Sequence, residues 1–493
     1  MTGGARAPVP APGTLGVDER AGLPLGFGVA LDGDTRHLTP DTLWGGSPAR
    51  ALRLSPTGVD ALVELEAGTV RTAAGAVLAR KLVDGNLAAP LPPPAAPALE
   101  YTVVIPVRDR PAALDRCLGA LASATATEVV VVDDGSTDPE ATATVCRRHG
   151  ARLLRHPHPR GPGPARNTGL AAVRTPLVAF VDSDCDPPPG WPTALLGHFA
   201  DPLVAAVAAR VVPLPAPGGR ARRYWESTSS LDLGDRPATV APGTRVAYVP
   251  TANLIARTAA LGGGFDEALP VGEDVDLVWR LVEAGWRVRY DPAVEVAHDE
   301  PAGQPALLRR RFRYGRSAAP LARRHPGSVP PLVLSPWPAL AVGAVAAGRP
   351  LAGLAAHAAS TALLASRLRR AGLPTTGVIG ASGTASVMTW SGVGRWITQF
   401  AAPAFFPLLF GQKSRRRRLA AFALLAAPPL LEWRNRRPPI DPVTFAALRI
   451  ADDVAYGLGV WRGCLAERRI DAMVPGVTRS FLSRRERDVR LAL

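Results

Sequence analysis

Three carboxylates, Asp182, Asp184 and Asp186, stand where an apolar run ends in "VAFVDSDCDPPPGW" (178–191). In extended backbone, residues i and i+2 point the same way, so Asp182 and Asp184 can converge across Ser183. Two converging carboxylates repel unless a positive charge sits between them. Hard oxygen ligands suit Mg²⁺ or Mn²⁺, and such an ion completes its coordination with the oxygens of a diphosphate. Asp186 is expected only to help turn the chain ahead of the prolines.

Other acidic and basic groups stand at comparable positions. In "VVVVDDGSTD" (129–138) capping of the next helix by Ser136 or Asp138 accounts for one polar residue but not for the pair Asp133 and Asp134. A carboxylate there can accept from the imide N–H of uracil or from a ribose hydroxyl. In "GGFDEALPVGEDVDLVWRL" (263–281), Glu273, Asp274 and Asp276 open an amphipathic helix. Acids favour a helix N-terminus, but three exceed what the dipole needs, and one can serve as a general base. His298 ends the run "VEVAH" (294–298); it reads either as a structural histidine or as a third metal ligand. In "LLRRRFRYGR" (307–316) Arg310 and Arg313 lie one turn apart, as a solvated basic face or as a clamp on a leaving diphosphate.

The elements that would carry these groups alternate. Strand-like "YTVVIPV" (101–107), helical "AALDRCLGALAS" (112–123), strand-like "TEVVVVDDGS" (127–136), then helix, strand, helix and the strand "PLVAFVDSD" predict a parallel sheet covered on both faces. In such sheets ligands sit beyond the carboxyl ends of the strands, where "DDGS" and "DSDCD" fall. Before them, residues 1–24 read as a disordered arm and 25–88 as a small domain. In that domain Ser55-Pro56 starts a helix with apolar positions Val59, Leu62, Val63 and Leu65, and a second helix ends at Gly85. The Pro/Ala-rich stretch 89–100 reads as a linker. The α/β domain spans 101–325.

From 326 to 493 the chain is apolar and punctuated by arginine. Only 326–348 approaches the roughly 20 apolar residues of a membrane span. A soluble helical domain is one reading. The expectation preferred here is membrane association by imperfect spans or interfacial helices, with Arg415 to Arg418 facing anionic lipid. The net charge of +15 is carried almost wholly by arginine, Lys81 and Lys413 being the lysines. It is compatible with genome composition or with an anionic partner. Acidic clusters at strand ends argue against a nucleic-acid binder. The loop "VRDRPAAL" lacks the Gly-rich phosphate loop of a sugar nucleotidyltransferase. The four cysteines have no metal-ligand spacing, which predicts a reducing, cytoplasmic setting. "MTGGARAPVPAPGTLG" lacks the apolar core of a signal peptide.

Taken in order, "VVIPVRDRP", "VVVVDDGSTD", "PGPARNTGL", "FVDSDCDPPPGW", "PTANLIA", "GGFDEALPVGEDVDLVWRL", "AHDE" and "RRFRY" resemble the family 2 glycosyltransferases of GT-A fold. The resemblance spans about 100–325. It implies that Asp134 contacts the uracil of a UDP-sugar with Asp133 close by. Pro106, Arg166, Asp182, Ser183, Asp184, Arg310 and Arg313 would complete the donor site. Asp182, Asp184 and His298 would hold Mn²⁺ or Mg²⁺. Asp274 would be the catalytic base, and Asn253, Glu273 and Tyr314 would meet the acceptor. Tyr314 stands where the family's Q/R-x-x-R-W motif has Trp, and Arg310 where cellulose-synthase-like members have Gln.

The arrangement is closer still to the glycosyltransferases of the mycofactocin system. In these a GT-A domain follows a small winged-helix domain similar to the peptide chaperones of pyrroloquinoline quinone biosynthesis. That resemblance implies inverting, metal-dependent addition of β-1,4-linked glucose from UDP-glucose to a peptide-derived acceptor. It also implies a small peptide-chaperone partner, no nucleic acid, and an active site at the cytoplasmic face of the cell membrane. A cell-wall or polysaccharide glycosyltransferase with a lipid-linked acceptor is the alternative.

Overall fold

The computed structural model describes residues 8–93, 99–123, 126–215, 217–300, 303–401, 411 and 414–477. It divides into two compact units: one of residues up to 215 with 229–300, and one of 217–228 with the chain beyond 302.

In the first unit the N-terminal elements are β1 (Gly28–Leu31), β2 (Arg36–Thr39), β3 (Thr42–Gly45), β4 (Arg50–Arg53), α1 (Pro56–Glu66), α2 (Ala73–Asp84) and β5 (Ala88–Leu91). Strands β2, β3 and β4 form an antiparallel sheet, and β1 pairs with β5. Helix α1 begins as its sequence predicts: Ser55 Oγ accepts from Gly58 N–H at 3.1 Å, and Pro56 fills a position that needs no donor. Its buried face is Gly58, Ala61, Leu62 and Leu65; Val63, expected in the core, is exposed because the 3.6-residue period places it on the other side. The expected linker begins instead as β5, and its residues 94–98 lie outside the described residues.

This small domain is not a tethered module. Arg80 on α2, buried, donates from both Nη atoms to Asp201 at 2.7 and 2.8 Å, and also to the carbonyls of Ala21 and Gly22. Asp84 pairs with Arg287 at 2.7 Å, and the Asn86 amide exchanges two hydrogen bonds with the backbone of Thr239. The described part of the expected disordered arm is also packed. Gly263 N–H donates to Pro8 O and Trp286 Nε1 donates to Pro10 O, so carbonyls of the arm satisfy donors of the α/β domain.

The α/β domain contributes β6 (Tyr101–Val107), β7 (Glu128–Asp133), β8 (Arg152–Arg155), β9 (Leu177–Val181), β10 (Cys185–Asp186), β11 (Val204–Pro213), β12 (Ala238–Thr239), β13 (Asn253–Arg257) and β14 (Arg287–His298). They form one sheet in the order β10-β14-β11-β13-β9-β6-β7-β8, with β12 on β14. Strands β9, β6, β7 and β8 are parallel, joined through α3 (Pro111–Leu121), α4 (Pro139–His149) and α5 (Pro162–Ala172). The rest departs from the predicted parallel sheet: β13 runs antiparallel to β9 and β11, and β10 antiparallel to β14. A strand buried on both faces reads as a continuous apolar run in either direction, so its polarity is not legible locally. All five residues of β9 are fully buried. Helices α6 (Trp191–Leu196), α8 (Thr258–Leu261) and α9 (Glu273–Glu283) complete this unit.

The second unit is helical. It contains α7 (Arg220–Thr228), α10 (Gln304–Arg316), α11 (Ala318–Arg324), α12 (Pro336–Ala346), α13 (Pro350–Arg370), α14 (Val378–Trp396) and helices over Arg415–Arg436 and Pro442–Glu467. Helix α10 crosses the last of these closely: a Cβ on Gly315 or Gly459 would overlap the carbonyl oxygen of Tyr456 or Phe312 across the crossing. Beside it Arg311 pairs with Asp452 at 2.6 Å, and Arg449 with Asp452 and Glu432 at 2.9 and 2.8 Å. Among the described residues no helix is long and apolar enough to cross a membrane, which corrects the expectation of spans. The uncharged stretch 326–348 is broken by its prolines, leaving α12 with 11 residues, about 16 Å against a hydrocarbon core of about 30 Å. The longer α13 and Arg415–Arg436 carry arginines. Most of the apolar stretch 397–411 lies outside the described residues.

The buried Arg80–Asp201 pair carries a prediction. Arg80→Ala leaves Asp201 a buried charge without its bidentate partner and lowers stability by about 3–5 kcal/mol in a denaturant titration. Arg80→Lys recovers only part of this, since an ammonium cannot make the two-pronged contact. A loss below about 1 kcal/mol for Arg80→Ala would show that the small domain is only loosely docked.

Candidate active site

Strand β9 delivers Asp182 and Asp184 at its carboxyl end. Asp182 N–H donates to Ala252 O, which carries the turn past the edge of the neighbouring strand. The two-residue β10 then pairs Cys185 with His298 at the end of β14, bringing distant residues together. One ligand atom each of Asp182, Asp184 and His298 lies within 4.8 Å of the others. His298 Nε2 faces Asp184 Oδ1 at 3.5 Å. Two carboxylates and an imidazole, largely buried, suit Mn²⁺ well and Mg²⁺ acceptably. Asp186 pairs with Arg116 at 2.8 Å, in keeping with a turn role. Cys117 and Cys185 lie buried under this loop, and burial pushes both thiols up, so they stay protonated.

Arg166, on α5, decides how the site holds together. Its Nη2 donates to Asp182 Oδ1 at 2.7 Å and its Nη1 to Glu273 Oε1 at 2.8 Å, and its guanidinium lies over the Phe265 ring. Burial alone would lower its pKa, but Asp182 and Glu273 outweigh that and leave it firmly protonated. Expected as a donor contact, Arg166 is instead committed to joining the Asp-x-Asp loop to α9. Next to it Asn167, which the sequence reading left unassigned, exchanges hydrogen bonds with the N–H and C=O of Phe265 and so fixes the loop leading to α9.

The three acids of α9 have three fates. Glu273 belongs to Arg166, and this occupies the group expected to meet the acceptor. Asp276 is fully buried and pairs with Arg280 at 2.7 Å. Asp274 remains half-buried, with Oδ1 accepting from Val275 N–H at 2.8 Å. Burial first, and the charge of Glu273 second, push its carboxyl up to about 7. A carboxylate poised there can take a proton near neutral pH.

At the end of β7 the two acids have unlike partners. Asp134 Oδ1 accepts from His156 Nδ1 and Arg160 N–H, each at 2.8 Å, and Oδ2 from Gly161 N–H at 2.7 Å. It clamps the loop before α5. Asp133 Oδ1 accepts from Ser136 N–H, while its buried Oδ2 has no hydrogen bond but faces the Arg155 guanidinium at 3.7 Å. Gly135 between them and Ser136 has φ 71°, and a Cβ there would meet Pro159 N at 2.7 Å. Pro106 lies on β6 directly across from Val132 of β7, beside these acids, and Ser183 is buried between the Asp-x-Asp carboxylates. Asn253 faces Val181 across the β13–β9 pair but is fully buried, with both amide atoms unpaired, so it offers no surface to an acceptor. Arg310, Arg313 and Tyr314 lie on α10 in the second unit, with Arg313 exposed.

One contact was not anticipated. Arg110, after β6, sets its guanidinium on Asp184 Oδ2. Its local context is only a charged loop, and the pairing arises because β6 and β9 are adjacent in the sheet.

The chain is similar to proteins already known. Glycosyl transferase family 2 matches residues 102–260. The pre-mycofactocin glycosyltransferase of Mycobacterium tuberculosis is 40% identical over 469 residues, covering 92% of this chain and 98% of that protein. Glycosyltransferase AglE of Haloferax volcanii is 27% identical over 231 residues, 44% of this chain and 71% of that one. Among solved structures, the mannosyltransferase PcManGT of Pyrobaculum calidifontis, in complex with GDP-Man and Mn2+, is 18% identical with a TM-score of 0.42, covering 73% of this chain and 87% of that one. The chain is a glycosyltransferase of GT-A-like α/β fold; it belongs to the family 2 glycosyltransferases, close to the enzyme of the mycofactocin system.

Proposed function

We propose that this enzyme is an inverting, metal-dependent glycosyltransferase that builds β-1,4-linked glucose from UDP-glucose on the peptide-derived precursor of mycofactocin. The observation that carries the reading is the clustering of Asp182, Asp184 and His298, with Arg166 bridging Asp182 to Glu273, the residue before a half-buried Asp274 whose carboxyl is poised near neutrality. Mn²⁺ or Mg²⁺ held by those three residues would neutralise the charge that develops on the leaving diphosphate. Asp134, whose Oδ2 accepts a single hydrogen bond, is the acid proposed to accept from the uracil imide N–H, with the fully buried Asp133, paired with Arg155 at 3.7 Å, behind it. Asp274 takes the proton of the acceptor hydroxyl as that oxygen bonds to the anomeric carbon. The bond from that carbon to the diphosphate oxygen breaks, and its electron pair leaves with UDP. One displacement inverts the anomeric centre.

The near full-length likeness to a pre-mycofactocin glycosyltransferase supports the peptide-derived acceptor, and the small N-terminal domain is the proposed place of its recognition, with a peptide-chaperone protein as the delivering partner. The working place proposed is the cytoplasmic face of the cell membrane. Exposed Leu351, Leu354, Ile379, Met388 and Phe422 on the helices of the second unit, with Arg415 to Arg418, support contact with an anionic lipid surface. The same exposed side chains favour a second reading, a lipid-linked acceptor.

With Mn²⁺, several UDP-sugars and purified peptide precursor, mass spectrometry detects hexose added to the peptide from UDP-glucose; chelation or Asp184→Ala removes it. Transfer to extracted membrane lipid and not to peptide would select the second reading. Asp274 must be ionised to act as base, so kcat/KM falls as pH drops below about 7. Asp274→Asn abolishes transfer but keeps UDP binding. Folding raises this carboxyl from 3.8 to about 7, so it costs stability increasingly from pH 4 to 7 and fully above, and Asp274→Asn melts higher than wild type at pH 8. A lower melting point would assign Asp274 a structural role. In flotation assays the full chain binds vesicles containing anionic lipid and releases at high salt; equal binding to neutral vesicles would remove the arginines from the contact.

A further inference from the structure

The two Asp-x-Asp carboxylates are neutralised in unlike ways. Arg166 on Asp182 is buried and held at its other end by Glu273, so it is a fixed part of the site. Arg110 on Asp184 has a side chain 53% exposed, and among the described residues it has Asp184 as its partner. Its backbone is nonetheless anchored. The preceding Asp109 adopts φ 53°, its N–H donates to Ser136 Oγ at 2.9 Å, and its Oδ1 accepts from Thr137 N–H and Oγ1 at 2.8 and 2.6 Å. The loop after β6 is thus tied to the loop after β7, while the Arg110 side chain can turn about a fixed base.

Asp184 is also one corner of the Asp182, Asp184, His298 triangle. A guanidinium at contact with Asp184 Oδ2 and a divalent cation on the same carboxylate repel each other at short range. We infer that Arg110 is an exchangeable counter-cation: it holds Asp184 in the donor-free enzyme, yields that carboxylate to the divalent cation, and turns its guanidinium to the diphosphate that arrives with the donor. Arg110 therefore couples the two binding events. It weakens cation binding when no donor is present and strengthens donor binding once the cation is in place, and by linkage each ligand tightens the other. This role rests on the metal reading proposed above.

The test is Mn²⁺ binding to the full chain, read from the electron paramagnetic resonance of unbound Mn²⁺, with and without UDP, for wild type, Arg110→Ala and Arg110→Lys. Melting temperatures confirm that each variant is folded. For Arg110→Ala the donor-free Kd for Mn²⁺ falls about two- to fivefold, the range for loss of one partly exposed ion pair. Its Kd for UDP at saturating Mn²⁺ rises, so the coupling between the two ligands shrinks. Arg110→Lys keeps a charge on the same loop and lies between. An Arg110→Ala chain that binds Mn²⁺ with unchanged or weaker affinity, beside a wild type that binds it, overturns the counter-cation role and leaves the metal site standing. A wild type that binds no Mn²⁺ with or without UDP overturns both.

Discussion

The contact on which the site depends is the double ion pair of Arg166. Asp182, Asp184, Glu273 and Asp274 come from two parts of the chain far apart in sequence, and all are at least half-buried or sheltered by the same loops. Four carboxylates so placed would drive the loops apart or take up protons. One buried guanidinium, held to Asp182 on one side and Glu273 on the other, sets the distance between the Asp-x-Asp loop and the start of α9. A buried charge is tolerable only when paired and hydrogen-bonded, and removing one partner of such a set costs several kcal/mol. The arginine is therefore as much a part of the fold as of the site.

That pairing also shapes the chemistry of Asp274. The helix N-terminus of α9 and the positive charge of Arg166 favour its ionised form, whereas burial and Glu273 oppose it. The outcome near neutrality reflects this balance, because Arg166 is already shared between two other acids. Glu273 raises its neighbour, and Asp276, bound to Arg280, anchors the helix.

The same device recurs through an arginine-rich chain. Arg80 with Asp201, Arg210 with Asp232, Arg280 with Asp276 and Arg311 with Asp452 are all buried or largely buried pairs within one unit or the other. Much of the cationic character that might be read as affinity for polyanions is spent on internal carboxylates. The arginines over Arg415–Arg418 differ: they are exposed at the start of their helix, where a favourable interaction with the dipole is absent. A cationic turn at that end is costly to the helix alone.

Local patterns were enough to place the parallel strands β6, β7 and β9, the starts of α1 and α9, and the acids at the strand ends. Apolar runs, Pro and Ser caps and i,i+2 alternation act over a few residues and are written in their order. The placement of Asp182, Asp184 and His298 at the ends of strands was legible for the same reason. What local order could not decide was partnership. That Asp134 holds Arg160, Gly161 and His156 while Asp133 is sealed beside Arg155, that Arg166 bridges two loops, that Asn253 is sealed from solvent, and that Arg110 rests on Asp184 follow from which strands lie side by side. The direction of β13, the docking of α2 through Arg80 and the packing of the chain from Pro8 onward have the same origin. Charge pairing and burial act between residues far apart in the chain. They are settled only when the sheet closes and each buried carboxylate must find the cation nearest to it in space.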